Sequence, residues 1–277
     1  MGLPLPTTVN TDVSMSDQPG TKASENVVSR VEVPAPGSAS NGLLSPGEER
    51  LAPPPPPGAA EVFGDRLVLA VQFAAILTDS GVSHGLIGPR EVPRLWERHL
   101  LNCAVIHPAI AANEMVIDVG SGAGLPGLAL AIARPDLDVH LIEPMLRRTN
   151  WLSMAVDEMG LTNVTVHRGR AEQFSGTLRA PVVTARAVAR LSELAKWCLP
   201  LLQPGGSLLA IKGLSVAEEV ETDRAVLRRL GAIDEVIERF GSGVVDQETT
   251  VVRVVVGDRA VQYGGPKKEK SKGKRRG

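Results

Sequence analysis

The sequence predicts a doubly wound α/β fold, in which a mostly parallel, Rossmann-like sheet of seven strands carries helices on both faces and follows a small N-terminal helical cap. Two observations lead to this prediction. From residue 115 onward, short apolar runs of strand length alternate with longer segments of helical periodicity. Before residue 112, apolar residues recur at helical spacing and give no strand signal. Since 43% of residues are hydrophobic and only 3% are aromatic, the core must be aliphatic.

Each element follows from its local pattern. In the cap, one helix is predicted from about residue 62 to a stop near Gly81, and a second over 92–106. The predicted strands are 115–119, 138–142, 164–167, 181–185, 207–211, 235–240 and 249–256. The predicted helices of the sheet domain are 125–133, 147–159, 191–202 and 216–230. This alternation is typical of parallel strands joined by crossover helices.

The two ends of the chain differ in composition from the part between them. Residues 1–58 hold 11 of the 21 prolines, including Pro53 to Pro57, and carry a net charge of -3. Such a segment buries too little apolar surface to offset its ordering entropy, so disorder is predicted there. The proline run is interpreted as a polyproline II spacer or, alternatively, a ligand for a proline-binding domain. The predicted units are then the cap, 59–112, the sheet domain, 113–263, and a basic tail, 264–277, whose last 11 residues carry +6.

Composition also limits where the protein acts and what it binds. No run of about 18 apolar residues is present in the sequence, so no transmembrane helix is expected. The N-terminus lacks a basic segment followed by an apolar stretch, so no signal peptide is expected and the predicted location is the cytoplasm. Cys103 and Cys198 have no metal-ligand spacing, so we expect two buried apolar residues and no metal site.

A glycine-rich turn after the first strand of the sheet indicates a nucleotide site. Residues 116–127 read Val-Ile-Asp-Val-Gly-Ser-Gly-Ala-Gly-Leu-Pro-Gly, which places the turn between a strand and a helix at the carboxyl edge. Glycine lets the backbone approach a ligand that a side chain would hold away, and Gly120 and Gly122 are candidate contacts. From Gly122 to Gly127 the turn also fits the dinucleotide fingerprint G-x-G-x-x-G, so NAD and S-adenosylmethionine must be separated on other grounds.

Asp118 separates the two ligands. It lies two residues before Gly120, where a carboxylate would repel a pyrophosphate but attract the sulfonium and ammonium groups of S-adenosylmethionine. The alternative is a buried acid that caps a local amide. Glu143 ends the second strand and can accept hydrogen bonds from ribose hydroxyls, which serves NAD equally well. Ala171 and Glu172 follow the third strand and are candidates for the adenine edge, with a surface turn as the alternative.

Five segments of the chain together resemble one known family. They are Trp-Glu-Arg-His-Leu-Leu-Asn at 96–102, Asp-Val-Gly-Ser-Gly-Ala-Gly-Leu-Pro-Gly at 118–127, Gly-Arg-Ala-Glu at 169–172, Thr-Ala-Arg-Ala at 184–187 and Ile-Lys-Gly at 211–213. In this order and spacing they resemble the small-subunit ribosomal RNA guanine-N7 methyltransferases, also called the glucose-inhibited division protein B family, over roughly residues 60–260. Asn102 and Cys103 depart from the pattern, since many relatives have Asp-Ser there. The acidic N-terminal segment and the basic tail look like additions to the family core.

The resemblance implies a bacterial enzyme with a methyltransferase-type sheet that uses S-adenosyl-L-methionine. It implies methylation of N7 of a guanine in the decoding region of 16S ribosomal RNA, with that RNA or the small ribosomal subunit as partner. The family's contacts with the methyl donor fall here on Gly120, Leu125, Ala171, Glu172 and Arg186. We expect the protein to act as a monomer.

The chemistry of this reaction agrees with the side chains available. Guanine N7 carries a lone pair and no proton, so transfer needs alignment and exclusion of water rather than a general base. Arg186 and Lys212, at strand ends, are the candidates for contacts with the base or the donor. Guanine O6 is their better target, because N7 must stay free. Arg98 and His99 on the cap are either functional or, respectively, helix surface and a histidine at the edge of the core.

The residues alone leave other functions open. A methyltransferase of this class could act on another RNA, a small molecule or a protein. A NAD-binding dehydrogenase and a non-catalytic RNA-binding module are the alternatives outside that class. Binding of the methyl donor, compared with binding of NAD, separates the first group from the dehydrogenase.

Overall fold

One seven-stranded sheet runs through the part of the chain that the computed structural model describes, which is residues 51–186, 189–213 and 216–258. Its strands are β1 (Met115–Val119), β2 (Asp138–Glu143), β3 (Val164–Arg168), β4 (Ala180–Arg186), β5 (Leu202–Lys212), β6 (Ala232–Phe240) and β7 (Thr249–Val256). They lie in the order β3-β2-β1-β4-β5-β7-β6. Strands β1 to β5 pair in parallel, while β7 is antiparallel to both β5 and β6. The predicted fold class is confirmed.

The chain order of the strands reverses between β1 and β4, which are hydrogen-bonded neighbours. In open sheets of this kind, ligands bind in the crevice beyond the carboxyl ends of the strands at such a reversal. The segments that follow β1, β2, β4 and β5 therefore define the edge where a site is expected. The start of β7 lies at the same edge, because antiparallel pairing brings Thr250 opposite Lys212.

Helices cover both faces of the sheet. On one face lie α4 (Gly127–Ala133) and α5 (Leu146–Glu158), and on the other α6 (Ala171–Phe174), α7 (Leu191–Cys198) and α8 (Val216–Arg229). Successive residues of a strand point to opposite faces, so Val116 and Ile117 enter two different buried clusters. Burial on both faces explains why the parallel strands read as continuous apolar runs.

The cap packs on the face of the sheet that carries α4, and its buried side chains join the same cluster. It comprises α1 (Pro57–Phe63), a 3₁₀ turn (Gly64–Arg66), α2 (Leu67–Ile76), a π turn (Leu77–Gly81), a 3₁₀ helix (Pro89–Arg94), a second π turn (Trp96–Leu101), α3 (Asn102–Ala104) and a 3₁₀ turn (His107–Ala109). The helix predicted over 92–106 is therefore not one regular α-helix. Pro93 lacks an amide donor, and the chain around it is a 3₁₀ helix instead.

The proline run packs on the cap. Trp96 is buried and donates a hydrogen bond from Nε1 to the carbonyl of Pro53 at 2.8 Å, and α1 begins at Pro57. Disorder was expected through residue 58, and the structure instead places residues 53–58 against folded chain. Residues 1–50 and the tail at 264–277 lie outside the described residues.

Several boundaries differ from prediction for local reasons. Helix α7 ends at Cys198, and a 3₁₀ turn containing Pro200 replaces the remainder of the helix predicted to reach 202. Pairing of β6 with β7 extends β6 back to Ala232. The short helix α6 was not predicted. Cys103 and Cys198 are buried and free, as expected. None of the described helices is long and apolar enough to cross a membrane.

Candidate active site

The glycine-rich turn leaves the sheet at Val119 and enters α4 at Gly127. Its backbone is anchored to the neighbouring strand, because the amides of Gly120 and Ser121 donate to the carbonyl of Ile142 at 2.9 and 3.2 Å. Gly120 and Gly122 have φ values of 72° and 56°, a region that residues with side chains rarely adopt. The turn is therefore a hydrogen-bonded backbone loop whose shape depends on glycine.

Asp118 lies behind this loop rather than beside a cavity. Its carboxyl is fully buried, and Oδ2 accepts a hydrogen bond from the Gly127 amide at 3.0 Å. Burial raises the pKa of the Asp118 carboxyl to about 6. A Cβ on Gly127 would lie 2.8 Å from Asp118 Oδ2 and 2.3 Å from Leu141 Cδ2, so only glycine lets the helix start so close to the sheet. This is the capping role considered above as the alternative; a role toward the donor stays a prediction.

A cavity of about 310 Å³, which we call the loop cavity, lies beyond the ends of β1, β2 and β3. Volumes of this size suit small-molecule ligands. It brings together four of the predicted donor contacts, which are Gly120, Glu143, Ala171 and Glu172. The predicted donor contacts Gly122, Leu125, Asp118 and Arg186 do not line it. Leu125 is buried with 4% exposed, and Arg186 lines a different cavity, described below.

Glu143 connects the loop to the end of β2. Its side chain is 2% exposed, and Oε2 accepts from the Gly122 amide at 3.1 Å while Oε1 accepts from the Met145 amide at 3.0 Å. Arg148 contributes a cation, with Nη1 3.7 Å from Oε2. The backbone donors hold the carboxylate at the cavity wall. Such a group can accept hydrogen bonds from two vicinal hydroxyls.

Helix α6 positions Ala171 and Glu172 at the same cavity. The helix begins after Arg170, whose amide donates to Gln173 Oε1 at 2.7 Å. A Cβ on Gly169 would lie 2.7 Å from the Phe174 ring, so glycine permits the tight approach. A short helix thus stands where a surface turn was the alternative reading of this pair.

Sequence reasoning missed several side chains of the loop cavity. Met145, Arg148 and Trp197 line it and were not among the candidate residues. Met145 and Arg148 follow Glu143 closely, so their position after a strand end was a usable signal. Trp197 reaches the cavity from α7 on another part of the chain, and nothing in its local pattern indicates this.

A second cavity of about 680 Å³, the cap cavity, lies at the same edge of the sheet beyond β4 and β5. Its walls come from the cap, the ends of both strands and the segment before β7. Both candidate catalytic residues, Arg186 and Lys212, line it together with Arg98 and Asn102. The larger cavity therefore carries four cationic side chains, with Arg94 as the fourth, beside the three carboxylates of Glu97, Asp246 and Glu248.

The two candidate cations differ in their surroundings. Lys212 is 9% exposed, and its Nζ donates to the Ala189 carbonyl at 2.7 Å and to Glu219 Oε1 at 2.9 Å. Arg186 has no carboxylate within ion-pair distance among the described residues, and Nη1 donates to the Arg98 carbonyl at 3.3 Å. Arg186 is thus the cation that is more available to a ligand, while Lys212 holds the neighbouring segments in place.

Nη1 of Arg186 also lies 3.1 Å from Nδ1 of His99, and Nε2 of that histidine lies 3.1 Å from Glu91 Oε2. Burial, followed by the charge of Arg186, lowers the pKa of His99 below its usual range. Arg98 and His99 are therefore both close to the candidate cation, and His99 is not an isolated residue at the core edge.

Asn102 ties the cap to β7. Its Nδ2 donates to Thr249 Oγ1 at 2.8 Å, and that hydroxyl donates to the Asn102 carbonyl at 2.9 Å. The neighbouring Cys103 is fully buried, which raises the pKa of its thiol to about 11. Neither residue needs a charge for these contacts, so the departure from Asp-Ser is compatible with the local structure.

Within residues 51–186, 189–213 and 216–258, no three His, Cys, Asp or Glu side chains form a group that could hold a metal ion.

Comparison with known proteins gives a consistent result. The family described as rRNA small subunit methyltransferase G (GidB) matches residues 66–249. Ribosomal RNA small subunit methyltransferase G of Streptomyces avermitilis is 55% identical over 207 residues, which cover 74% of this chain and 87% of that protein. The protein of the same name from Thermobifida fusca is 53% identical over 228 residues, covering 80% and 96%. Among solved structures, an O-methyltransferase family protein from Burkholderia thailandensis has a TM-score of 0.46 and 14% identity, covering 71% of this chain and 64% of that one.

Proposed function

Because the chain belongs to the rRNA small subunit methyltransferase G (GidB) family, we propose that it transfers the methyl group of S-adenosyl-L-methionine to N7 of a guanine in 16S ribosomal RNA. One observation carries this proposal. A nucleoside-sized cavity with a glycine loop and a cation-lined cavity lie at the same edge of the sheet, around the point where the strand order reverses. Such an arrangement suits a donor nucleoside and a separate anionic substrate.

The residues of the loop cavity fit the donor. S-adenosylmethionine supplies a methyl group bound to a positively charged sulfur, together with a ribose and an adenine. In this proposal Glu143 accepts hydrogen bonds from the ribose hydroxyls, and Ala171 and Glu172 contact the adenine; their common position in the walls of the loop cavity supports these roles. Gly120 lets backbone approach the ligand, and Asp118 contributes negative charge from behind the loop while it fixes the Gly127 amide. Gly122 and Leu125 support the loop and do not line the cavity themselves.

Arg186 is the residue that we assign to the substrate base. It lines the cap cavity, and its guanidinium can donate to guanine O6 while N7 stays free for the methyl group. Lys212 holds the segment after β4 through the Ala189 carbonyl and is a positioning residue in this proposal. Arg98, which is exposed at the same cavity, suits an RNA phosphate.

The bond changes require no proton transfer. The N7 lone pair would form the new N–C bond as the S–C bond breaks. The electron pair of the broken S–C bond would stay on sulfur. The positive charge moves from sulfur to the guanine ring. The protein's contribution is alignment, exclusion of water and dipoles arranged in advance, which agrees with a site built from backbone donors and cations.

The test uses purified protein, labelled S-adenosylmethionine, and small ribosomal subunits from cells that lack this gene. We expect one labelled N7-methylguanine in 16S RNA, and we expect the same base to be unmodified in the deletion strain before treatment. The active enzyme should be a monomer by size-exclusion chromatography. Free nucleosides and bulk protein should stay unlabelled. Label in a small molecule or protein instead, or binding of NAD in place of the donor, would overturn the proposal. Comparing methylation of naked RNA with methylation of subunits shows which of the two is the better substrate.

A further inference from the structure

A chain of three polar side chains crosses from the cap to the end of β4. Glu91 lies in the 3₁₀ helix of the cap, His99 in the π turn that follows, and Arg186 at the last position of β4. The two contacts of the histidine ring are both 3.1 Å, one to each partner. The His99 side chain is only 13% exposed, so water cannot freely replace either partner.

The donors and acceptors of this chain fix the state of the ring. A guanidinium can only donate, so Nδ1 of His99 must be an unprotonated acceptor toward Arg186. An ionised carboxylate can only accept, so Nε2 must carry the proton and donate to Glu91. Both contacts are satisfied together only by the neutral ring with its proton on Nε2. A second proton on Nδ1 would place a donor and a positive charge against Arg186.

The hydrogen bonds of Arg186 among the described residues come only from Nη1, to His99 and to the Arg98 carbonyl. The other nitrogens of its guanidinium have no such partner there and are available to a substrate in the cap cavity. The cap therefore sets the orientation of this cation, without a carboxylate that would compete for the substrate contact.

We propose that neutral His99, oriented by Glu91, is a positioning residue that holds the Arg186 guanidinium toward the substrate cavity, and that protonation of the ring releases it. This inference rests on the proposed function, because it takes Arg186 as a substrate contact. It gives the cap a role in the reaction, since the cap supplies two of the three side chains.

The charged groups that face the ring predict the direction of the pH dependence. Glu91 faces it from the 3₁₀ helix, Arg98 from its own segment and Arg186 from β4. Burial and Arg186 lower the pKa of His99 more than Glu91 raises it. The neutral ring therefore persists at neutral pH, and kcat/KM for the ribosomal substrate should fall as pH drops below about 6.5. Donor affinity should not follow this profile, because neither His99 nor Arg186 lines the loop cavity.

Two substitutions separate the two ring contacts. In His99→Asn, the amide oxygen can take the place of Nδ1 and accept from Arg186, and the residue cannot be protonated. In His99→Gln, the amide nitrogen can reach the place of Nε2 and donate to Glu91, but the Arg186 acceptor is lost. We expect His99→Gln to raise the KM for small subunits by roughly tenfold, the effect of one hydrogen bond to a charged group. His99→Asn should keep the KM within about threefold of the natural enzyme's value. It should also lose the part of the fall in kcat/KM at acid pH that is assigned to protonation of His99.

The measurements are pH profiles of kcat/KM for small subunits at saturating donor, and donor affinity by calorimetry. Asp118 titrates in the same range, so profiles are compared between variants and not judged from the natural enzyme alone. His107→Asn is the matched control. This histidine is also partly buried with a lowered pKa, does not line the cap cavity, and should leave the profile unchanged.

The outcomes distinguish this inference from the proposed function. If the natural enzyme does not methylate small subunits, the proposed function has failed. Suppose instead that the natural enzyme methylates small subunits. The positioning role is then wrong if His99→Asn still loses kcat/KM at acid pH as the natural enzyme does, or if its KM rises as much as that of His99→Gln. Imidazole nitrogen spectra give a readout besides activity. They should show a proton on Nε2 of His99 at pH 7.5, and a proton on Nδ1 there would contradict the proposal.

Discussion

Nδ1 of His99 lies 3.1 Å from Nη1 of Arg186, although 87 positions separate the two residues in the chain. This contact ties the cap to the end of a central strand beside the cap cavity. Arg186 has no ion-pair partner among the described residues, so its position depends on uncharged acceptors from the cap. A cation held in this way remains free to pair with a substrate anion or carbonyl oxygen.

Replacing Arg186 should affect turnover more than folding. In Arg186→Ala, loss of a hydrogen bond from a charged donor should lower kcat/KM for small subunits by roughly tenfold or more. The melting temperature should fall by a few degrees at most, because the substitution removes two hydrogen bonds to the cap but breaks no ion pair and leaves the apolar clusters intact. Activity assays and thermal unfolding measure the two effects.

Arg229→Ala is the control for that substitution. Arg229 is exposed at the last turn of α8, which leads away from the carboxyl edge of the sheet, and it lines neither cavity. Its loss should change neither quantity. Parallel losses of stability and activity in Arg186→Ala would mark that arginine as structural.

The glycine loop gives a second prediction. Gly120→Asp should abolish donor binding in a protein that still folds, because the side chain would fill the space where backbone meets the ligand. Gly205→Asp is the matched control: Gly205 has φ 75° against 72° at Gly120, and a Cβ there meets nothing within 4 Å. Calorimetry should show no donor binding by the first variant and normal binding by the second. Unchanged affinity in Gly120→Asp would make the loop assignment wrong.

The strands show how much of the fold could be predicted from the sequence. The predicted boundaries of β1 and β7 match the structure, because burial on both faces leaves an apolar run with clear ends. The cap was less predictable. A period of apolar residues continues through Pro93, but proline interrupts the hydrogen bonds that a regular helix needs.

The site shows the same division between local and distant contacts. Glu143 is the last residue of β2 and Glu172 comes shortly after β3, so the topology alone predicts that they lie near one another. Glu91 and Trp197 have no comparable signal in the sequence. Glu91 joins the site through its contact with His99, and Trp197 joins it through the packing of α7. Asp118 shows a further limit. Its charge indicated a cationic ligand, while its hydrogen bond to Gly127 depends on a helix start nine positions away.

Asp118 also gives a prediction with two opposite signs. Its pKa is raised on folding from 3.8 to about 6, so the stability that it contributes is full below the unfolded pKa and is lost as pH rises through 6. Asp118→Asn keeps an acceptor for the Gly127 amide without the buried charge. At pH 8 the variant should be more stable than the natural protein, by on the order of 1–3 kcal/mol, and near pH 4 this advantage should disappear.

Donor affinity should change in the other direction. Removing a negative charge near the sulfonium should weaken binding by about 1 kcal/mol at pH 8. Denaturant unfolding and calorimetry measure the two effects. The control is Asp157→Asn, the same change on an exposed face of α5. A variant that binds the donor normally would leave Asp118 with the capping role alone.

The basic tail gives the last prediction. Residues 267–277 carry +6 and lie outside the described residues, while residues 59–266 carry -4. RNA binding releases counterions, and each phosphate contact steepens the salt dependence of affinity by about 0.7 to 0.9 log units per log unit of salt. The tail has no aromatic residue to stack on a base and none of the candidate donor contacts. Its contribution should therefore be purely electrostatic.

Deleting residues 267–277 should weaken affinity for ribosomal RNA and flatten its salt slope. Donor affinity should stay unchanged, and turnover at saturating RNA nearly so, because none of the candidate donor or substrate contacts belongs to this segment. A variant with the seven Lys and Arg of this segment replaced by Gln keeps the length and removes the charge, so it should behave like the deletion. If truncated and full-length enzymes show the same salt slope, the tail makes no phosphate contacts, and cations elsewhere in the chain, such as Arg98, must account for RNA binding.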